Sequence, residues 1–378
     1  MRWRSLNNEI KGLYINGNCC EEPQKVKDEV HSYFEKRFQA QVNFGVNLDG
    51  VLLREIGAAD NERLCSTFND EEILEAVDQC EGTKSPGPDG FNFNFIKSNW
   101  NIIRADIINV IQCFYETGYI PRGCNASFIT LIPKKESPIS LGDYRPISLV
   151  GCVFKLIAKI LANRLKGVLE NVIDMKQFAF LSGGGLLDSV LIANEMVDYL
   201  RKDRVKGVIV KVDYEKAYDS VEWNFLEYMM RRLGFVNKWI NWISMCLKST
   251  TVSILVNGSP TKEFKPKRGL RQGDPLAPFL FLIMAEGLAS LVREAIRIGV
   301  LEGIKVGEKE VEVTLLQFAD DTLFVCQPNY QSILAIKAIL CSFEVVSSLR
   351  VNFYKSKVGG VGISKMDMTI FSKCLNCG

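Results

Sequence analysis

Histidine is nearly missing: His31 is the one copy in 378 residues. That excludes Ser-His-Asp triads, His-rich metal sites and His acid/base pairs. Long apolar runs are missing too. The longest, Leu276 to Ala285, contains Pro278 and stops at Glu286, well short of the roughly 20 residues that cross a bilayer. No membrane association is expected. Neither sign of charge dominates: 46 Lys and Arg against 44 Asp and Glu leave +2, which argues neither for nor against a polyanionic partner. The twelve cysteines are scattered, with Cys19 and Cys20 adjacent. They make no framework of a small secreted domain, and no secretory signal precedes them. A reduced, intracellular compartment is expected. Cys374 and Cys377 have the spacing of half a zinc site, and nothing completes it. Internal repeats and low-complexity segments are lacking as well.

What is present is an ordinary globular composition, 47% hydrophobic and 24% charged, with room for two or three domains. Within it, Leu315 to Val325 carries the strongest pattern. Two apolar runs, too short for helices, flank Ala319-Asp320-Asp321. The pattern predicts a β-hairpin with two carboxylates at its tip. Two unit charges about 4 Å apart repel by roughly 4 kcal/mol at an effective dielectric of 20. A fold that holds both there needs protons, basic side chains, solvent or a cation. A plain solvated turn would use the same residues, because Asp favours turns.

Taken in order, Glu21 to Gln39 reads as an amphipathic helix, with Val26, Val30, Phe34 and Phe38 at i, i+4 spacing. Residues 40–68 read as a connection with short elements. Asn69-Asp70-Glu71-Glu72 opens a helix that Gly82 closes. Lys84-Ser85-Pro86-Gly87-Pro88-Asp89-Gly90 is a rigid turn, either a helix stop or a ligand-facing loop. Ile102 to Glu116 is a second amphipathic helix. Phe128 to Lys135 is a strand entering a basic turn, and Tyr144 to Leu149 is its returning partner. Lys134, Lys135 and Arg145 would make a phosphate clamp there, since Arg grips bidentately and Lys supplies point charge. Val153 to Val172 and Leu186 to Leu200 are helices. Gly207 to Asp213 is a β-branched strand ending on an acid, followed by a turn into a helix through Leu233. Residues 238–248 are helical, Thr251 to Val256 a strand, and Asn257-Gly258 a hairpin turn. Arg268 to Pro275 is a basic, glycine-punctuated loop feeding a buried helix from Pro278 to about Ile296. After the central hairpin come a helix from Gln331 to about Ser348, a short strand at Leu349 to Phe353, and a basic turn, Tyr354-Lys355-Ser356-Lys357.

Basic residues cluster although net charge does not. Seven Lys or Arg and two acids lie between Leu131 and Lys166, and Lys262, Lys265, Lys267, Arg268 and Arg271 form a second group. With Asp213 on one strand and Asp320 and Asp321 on a strand pair, three carboxylates without histidine suit a hard cation. Mg²⁺ takes oxygen ligands, typically one or two carboxylates plus substrate phosphates. A pair of such ions assists in-line phosphoryl transfer.

Five stretches then carry a family resemblance. They are Ser85-Pro86-Gly87-Pro88-Asp89-Gly90, Tyr144-Arg145-Pro146-Ile147-Ser148-Leu149, Val212-Asp213-Tyr214-Glu215-Lys216-Ala217-Tyr218-Asp219, Arg271-Gln272-Gly273-Asp274-Pro275-Leu276 and Phe318-Ala319-Asp320-Asp321. In this order, over roughly residues 70–360, they resemble the reverse transcriptase of LINE-type (non-LTR) retrotransposons, those of flowering plants most of all. The resemblance implies an α+β right-hand polymerase with fingers and palm, the palm an antiparallel ferredoxin-like sheet packed on helices. The expected division is an N-terminal helical extension over 1–68, a fingers-like region over 69–206, a palm over 207–360 and a truncated tail over 361–378 without a thumb.

The same resemblance implies RNA-directed DNA synthesis from dNTPs on an RNA template and a DNA primer, with two Mg²⁺ ions, or Mn²⁺ in their place. Asp213, Asp320 and Asp321 would hold the metal. Lys134 or Lys135, and Arg145, would grip the triphosphate, and Gln272 and Gly273 would line the nascent base pair. Tyr218 would set its ring against the sugar 2′ position, where the family usually has Phe. Lys355 or Lys357 would match a late basic motif that donates a proton to pyrophosphate. A nuclear site of action would follow from the family's way of life.

Two departures from the pattern stand out. Ser182-Gly183-Gly184-Gly185 replaces a basic residue beside glycine, and Ala277 replaces a frequent Ser. A truncated relic that only binds nucleic acid is the competing reading. A metal-dependent nuclease would leave Tyr218, Gln272 and Gly273 without roles.

Overall fold

The computed structural model describes residues 9–377 except 11, 16–17, 42–44, 182–185 and 308–309. The expected departure at Ser182–Gly185 therefore lies outside the described residues. The chain is α+β and forms two compact units. The first comprises the segment up to Ala40, Asn61–Arg164 and Val236–Ala277. The second comprises Gln41–Asp60, Leu165–Phe235 and Pro278 onward.

In the first unit, a small hairpin of β1 (Leu13–Ile15) and β2 (Asn18–Cys20) precedes the helix Pro23–Arg37. That helix buries Val26, Val30 and Phe34, as its i, i+4 spacing requires. They pack with Ile129, Leu131, Tyr144, Ile254 and Phe264 in one core. Its sheet has the order β4-β3-β6-β7, from β3 (Ala126–Pro133), β4 (Tyr144–Val150), β6 (Thr251–Val256) and β7 (Ser259–Pro260). β3 and β4 are antiparallel with Ile132 opposite Arg145. β3 and β6 are parallel, Ile129 opposite Ile254. By this non-local pairing residues 236–277 share the first unit with the strand at 126–133.

Helix ends in this unit follow their caps. The helix Asp70–Gln79 starts at Asn69, whose side chain accepts from Glu72 N at 2.8 Å. Arg164 ties its first turn down, meeting both oxygens of Glu72 at 2.6 and 2.7 Å and the carbonyls of Leu64, Ser66 and Thr67. The Pro-Gly-Pro turn is structural: Asp89 Oδ2 accepts from Cys152 N at 2.5 Å, the first residue of the helix Cys152–Leu169. A side chain at Gly87 would come within 2.5 Å of Gly151 N, so glycine is required there.

The second unit is built on a fully antiparallel sheet in the order β10-β11-β5-β12. Its strands are β5 (Gly207–Val212), β10 (Leu315–Phe318), β11 (Asp321–Cys326) and β12 (Lys357–Val361). Val208, Val210, Val212 and Phe324 are fully buried on one face. On the other, Ile209, Val325 and Val361 pack with Met196 and Leu200 of the helix Leu186–Lys202 and with Ile304 of β8 (Ile304–Val306). β8 pairs with β9 (Val311–Val313) in a separate hairpin. The helix Tyr330–Ser347 has the length and apolarity of a membrane span; here Ile333, Ile336, Leu340 and Phe343 are buried.

Two local expectations fail in this unit. Leu349–Phe353 is not a strand; Val351 makes a single bridge to Tyr214, and the edge strand is β12. The helix expected after Asp213 is broken. A 3₁₀ turn, Ala217–Ser220, is entered through Lys216 at φ 52°, and the helix proper is Trp223–Arg232.

Candidate active site

The acid at 213 is set by its strand. Alternation buries Val208, Val210 and Val212 and turns Lys211 outward. β11 pairs with β5 with Thr322 opposite Val212. Asp213 and Asp321 are the next residues past that pair, at the same end of the sheet. The Asn352–Ser356 turn fixes its backbone from both sides. Asp213 N donates to Ser356 Oγ at 3.1 Å, and Asn352 N donates to the Asp213 carbonyl at 2.7 Å. The fully buried Ser356 hydroxyl itself donates to Asn352 O at 2.8 Å. Lys355 rises from the same turn, its backbone N–H bonded to Asn352.

The other two acids come from the expected hairpin. Phe318 pairs with Asp321, which leaves Ala319 and Asp320 as a two-residue turn. Ala319 takes φ 53°, the left-handed region that L residues avoid at a cost of about 1–2 kcal/mol. What holds it there is Gln177, buried to 5% exposure. Its Oε1 accepts from Ala319 N at 3.0 Å and Ala179 N at 3.2 Å, and its Nε2 donates to Ala319 O at 3.5 Å. The surrounding segment lies alongside β10: Gln317 N donates to Lys176 O, and Phe178 N to Gln317 O.

A buried ion network anchors that segment in turn. Arg293 reaches Asp174 at 2.7 Å and Glu286 at 2.6 Å, and Glu286 Oε2 accepts from Asp174 N. Burial pushes the Glu286 carboxyl up to about 7 despite Arg293.

Asp320 lies by two aromatic side chains. Burial first, then the negative charge of Asp320, raises the Tyr218 phenol far above its ordinary value; for Tyr214 burial does so against Thr322, with the charges of Glu344 and then Asp320 adding to it. Tyr218 stacks on Phe281 with centroids 4.8 Å apart and planes at 16°, which leaves its ring fixed beside the acid. Asp321 is 69% exposed and stands 3.4 Å from Lys211 Nζ.

The oxygen donors of Asp213, Asp320 and Asp321 match a hard divalent cation in kind, and the register sets them at one end of the sheet. They do not converge in this conformation. Among the described residues, no group of three or more His, Cys, Asp or Glu side chains is placed to hold a metal ion. The Asp321–Lys211 pair would have to open for Asp321 to join one.

The remaining predicted residues belong to the first unit. Lys134 Nζ donates to Gly142 O at 3.2 Å, and Lys135 pairs with Asp143 at 3.0 Å. Although burial opposes it, Lys135 and donors from Ser140 and Ile139 hold the Asp143 carboxyl well below the usual range. Arg145 is exposed on β4. Three residues on, Ser148 N donates to Gln272 O at 2.8 Å. Gly273 has φ 108°, and a Cβ on it would stand 2.9 Å from Ser148 O, so only glycine lets the loop lie this close to β4.

Arg271 is a correction to the basic cluster. It is not a solvent-facing cation. It binds Asp274 at 2.8 Å and Asn125 Oδ1 at 2.6 Å, and lies 4.2 Å over Phe154. Asn125, buried to 1%, donates to Cys246 O and Ser249 Oγ at 2.7 and 2.8 Å. The charge of Arg271 is spent on holding the Gln272-Gly273 loop.

Sequence reasoning missed Gln177, Ser356 and Asn125. A polar residue one step from an apolar run was the available signal, but a surface role fits that signal equally well.

These features agree with the comparisons to known proteins. A family model described as reverse transcriptase (RNA-dependent DNA polymerase) matches residues 132–362. The Pol polyprotein of a type-1 retrotransposable element R2 from Popillia japonica is 30% identical over 72% of this chain and 36% of its own length. A 149 kDa protein of transposon TX1 from Xenopus laevis is 26% identical over 93% of this chain and 27% of its own. The RNA-directed DNA polymerase from the mobile element jockey of Drosophila funebris is 24% identical over 66% of this chain and 26% of its own. The chain thus spans about a quarter to a third of the length of these relatives. With the matched region running from β3 through β12, the chain belongs to the reverse transcriptase (RNA-dependent DNA polymerase) family, in its non-LTR retrotransposon branch.

Proposed function

We propose that this chain carries the polymerase core of a LINE-type retrotransposon and extends a DNA primer on an RNA template. The second unit would be the palm, and the β3–β4 hairpin with the Gln272-Gly273 loop part of the fingers. The observation that supports the reading is the register of β5 against β11, whose last pair, Val212 with Thr322, leaves Asp213 and Asp321 at the same end of the sheet although 107 positions lie between them in the chain.

Asp213, Asp320 and Asp321 would hold divalent ions, Mg²⁺ or Mn²⁺. Such ions, when bound, acidify the primer 3′-hydroxyl and neutralise charge on the departing pyrophosphate. The chain's own residues do the rest. The Asn352–Ser356 turn orients Asp213 and presents Lys355 for protonating the leaving group. Tyr218, fixed against Phe281, blocks a ribose 2′-hydroxyl and favours dNTPs. Arg145 and Lys134 bind triphosphate oxygens, with Lys135 joining them once Asp143 releases it. The Gln272-Gly273 backbone lines the base pair.

The test is primer extension on an RNA template with Mg²⁺, comparing the parent chain with Asp320→Asn. Extension by the parent and its loss in the variant support the reading; equal activity in both sinks the metal assignment. One observation favours a second reading, a relic that binds nucleic acid without copying it: Asp321 faces Lys211 instead of its partner acids. That protein would retain RNA and extend no primer.

A further inference from the structure

Beyond its packed part, the face of the second unit's sheet that carries Lys211 bears a pair of cations to which the proposed function gives no joint role. Lys357 of β12 lies directly opposite Lys211 of β5. Cross-strand partners project from the same face, and like charges placed directly opposite are unfavourable. Lys211 is 55% exposed and meets Asp321 at 3.4 Å, an exposed pair of the kind that contributes little to stability. Lys357 has no ion-pair partner among the described residues. Two cations thus stand side by side on neighbouring strands, and the one acid that meets them, Asp321, lies on the β11 side of Lys211, away from Lys357.

The surface beside them is open. Two residues along β12 from Lys357, and so on the same face, a Cβ built on Gly359 would meet nothing within 4 Å. The next glycine, Gly360, faces the other way, where a Cβ would clash with Met368 of the helix Lys365–Leu375. On β5 and β11 the same face is covered from Ile209, the partner of Gly359, and from Val325, and on β12 it is covered at Val361. What remains is an uncovered strip floored by Gly359 and edged by two lysines. It runs up to the end of the sheet where Asp321 and Asp213 stand.

We propose that Lys211 and Lys357 form a seat for a backbone phosphate of the nucleic acid, next to the catalytic carboxylates. The repulsion between the two ammonium groups is relieved when a phosphodiester oxygen lies between them. Lys211 then exchanges Asp321 for the phosphate, which frees that carboxylate. The proposal rests on the polymerase reading for the identity of the polyanion.

The test measures binding of a fluorescent RNA–DNA primer–template by anisotropy across a salt series, for the parent chain, Lys211→Ala, Lys357→Ala, both Lys→Arg variants and Lys305→Ala as control. Lys305 is exposed and paired with Glu310 elsewhere in the unit. Each of the first two substitutions is expected to weaken binding and to reduce the slope of log K against log salt by roughly 0.7–0.9, one phosphate contact's worth. The Arg variants and Lys305→Ala should keep the parent slope. An unchanged slope in Lys211→Ala and Lys357→Ala overturns the seat. So does an effect confined to the KM for dNTP, which would make it a triphosphate site, or one confined to Mg²⁺ dependence, which would leave Lys211 as a counter-ion only. A parent chain that binds no primer–template fails the polymerase reading itself.

Discussion

Replacing Gln177 by Ala removes the acceptor of two buried N–H groups, those of Ala319 and Ala179, and a weaker donor to Ala319 O. An unsatisfied buried donor costs about 1–3 kcal/mol. Water entering the vacated volume would recover part of the total, so the expected loss of stability is about 2–4 kcal/mol. Urea denaturation followed by tryptophan fluorescence measures it. The effect on function has a separate origin. Without the brace, Ala319 can leave its left-handed conformation, and Asp320 moves with it. A misplacement of about 1 Å can cost on the order of 100-fold in rate, so single-turnover incorporation should fall by about 10- to 100-fold. The double variant Gln177→Ala/Ala319→Gly separates the two effects. Glycine occupies positive φ without the side-chain penalty, so the turn should stay in place and the rate should recover while stability stays low. A loss of stability below about 0.5 kcal/mol, or a rate that fails to recover in the double variant, would refute the reasoning.

Other outcomes follow from the same geometry. Glu286 keeps its proton in the folded chain up to about pH 7, whereas an unfolded Glu loses it near 4.5. The folded state binds more protons in that window, so stability should decline as pH rises from 4.5 to 7; in Glu286→Gln the urea midpoint should be flatter there, and an unchanged slope contradicts this. Gly273→Ala combines φ 108° with a Cβ at 2.9 Å from Ser148 O; a stability loss of about 2 kcal/mol or more is expected, and a neutral result would mean that the loop is not held against β4. Tyr218→Ala removes the ring that Phe281 fixes; discrimination of dNTP over NTP, measured as the ratio of kcat/KM values, should fall on the order of 10- to 100-fold.

Much of the second unit was legible because its signals are local. Two short apolar runs around Ala319-Asp320-Asp321 read as a hairpin, and Gly207–Val212 is a β-branched run. Asn69 capping its helix through Glu72 is equally local. What failed depends on distance. Nothing in the periodicity of Thr251–Val256 says that it pairs in parallel with Ala126–Pro133, so the place of residues 236–277 in the first unit could not be read from the sequence. β12 contains Gly359 and Gly360 and has little strand propensity of its own; its pairing to β5 makes it a strand, while the more apolar Leu349–Phe353 meets only the short stretch past the end of β5, at a single bridge to Tyr214. The three acids could be named from their motifs. Their supports could not, because Gln177, Ser356 and Asn125 become significant only when a buried backbone group from elsewhere reaches them. Arg271 shows the converse: its motif suggests a ligand-facing cation, and its burial turns that charge inward.

The most direct test of the account is Mn²⁺ binding followed by electron paramagnetic resonance, on the chain with primer–template and dNTP, for the parent, Asp213→Asn and Asp320→Asn. Bound Mn²⁺ in the parent and its loss in both variants is the predicted result. Undiminished binding in Asp213→Asn would mean that the acid on β5 and those on the hairpin do not share ions, and the account would fail.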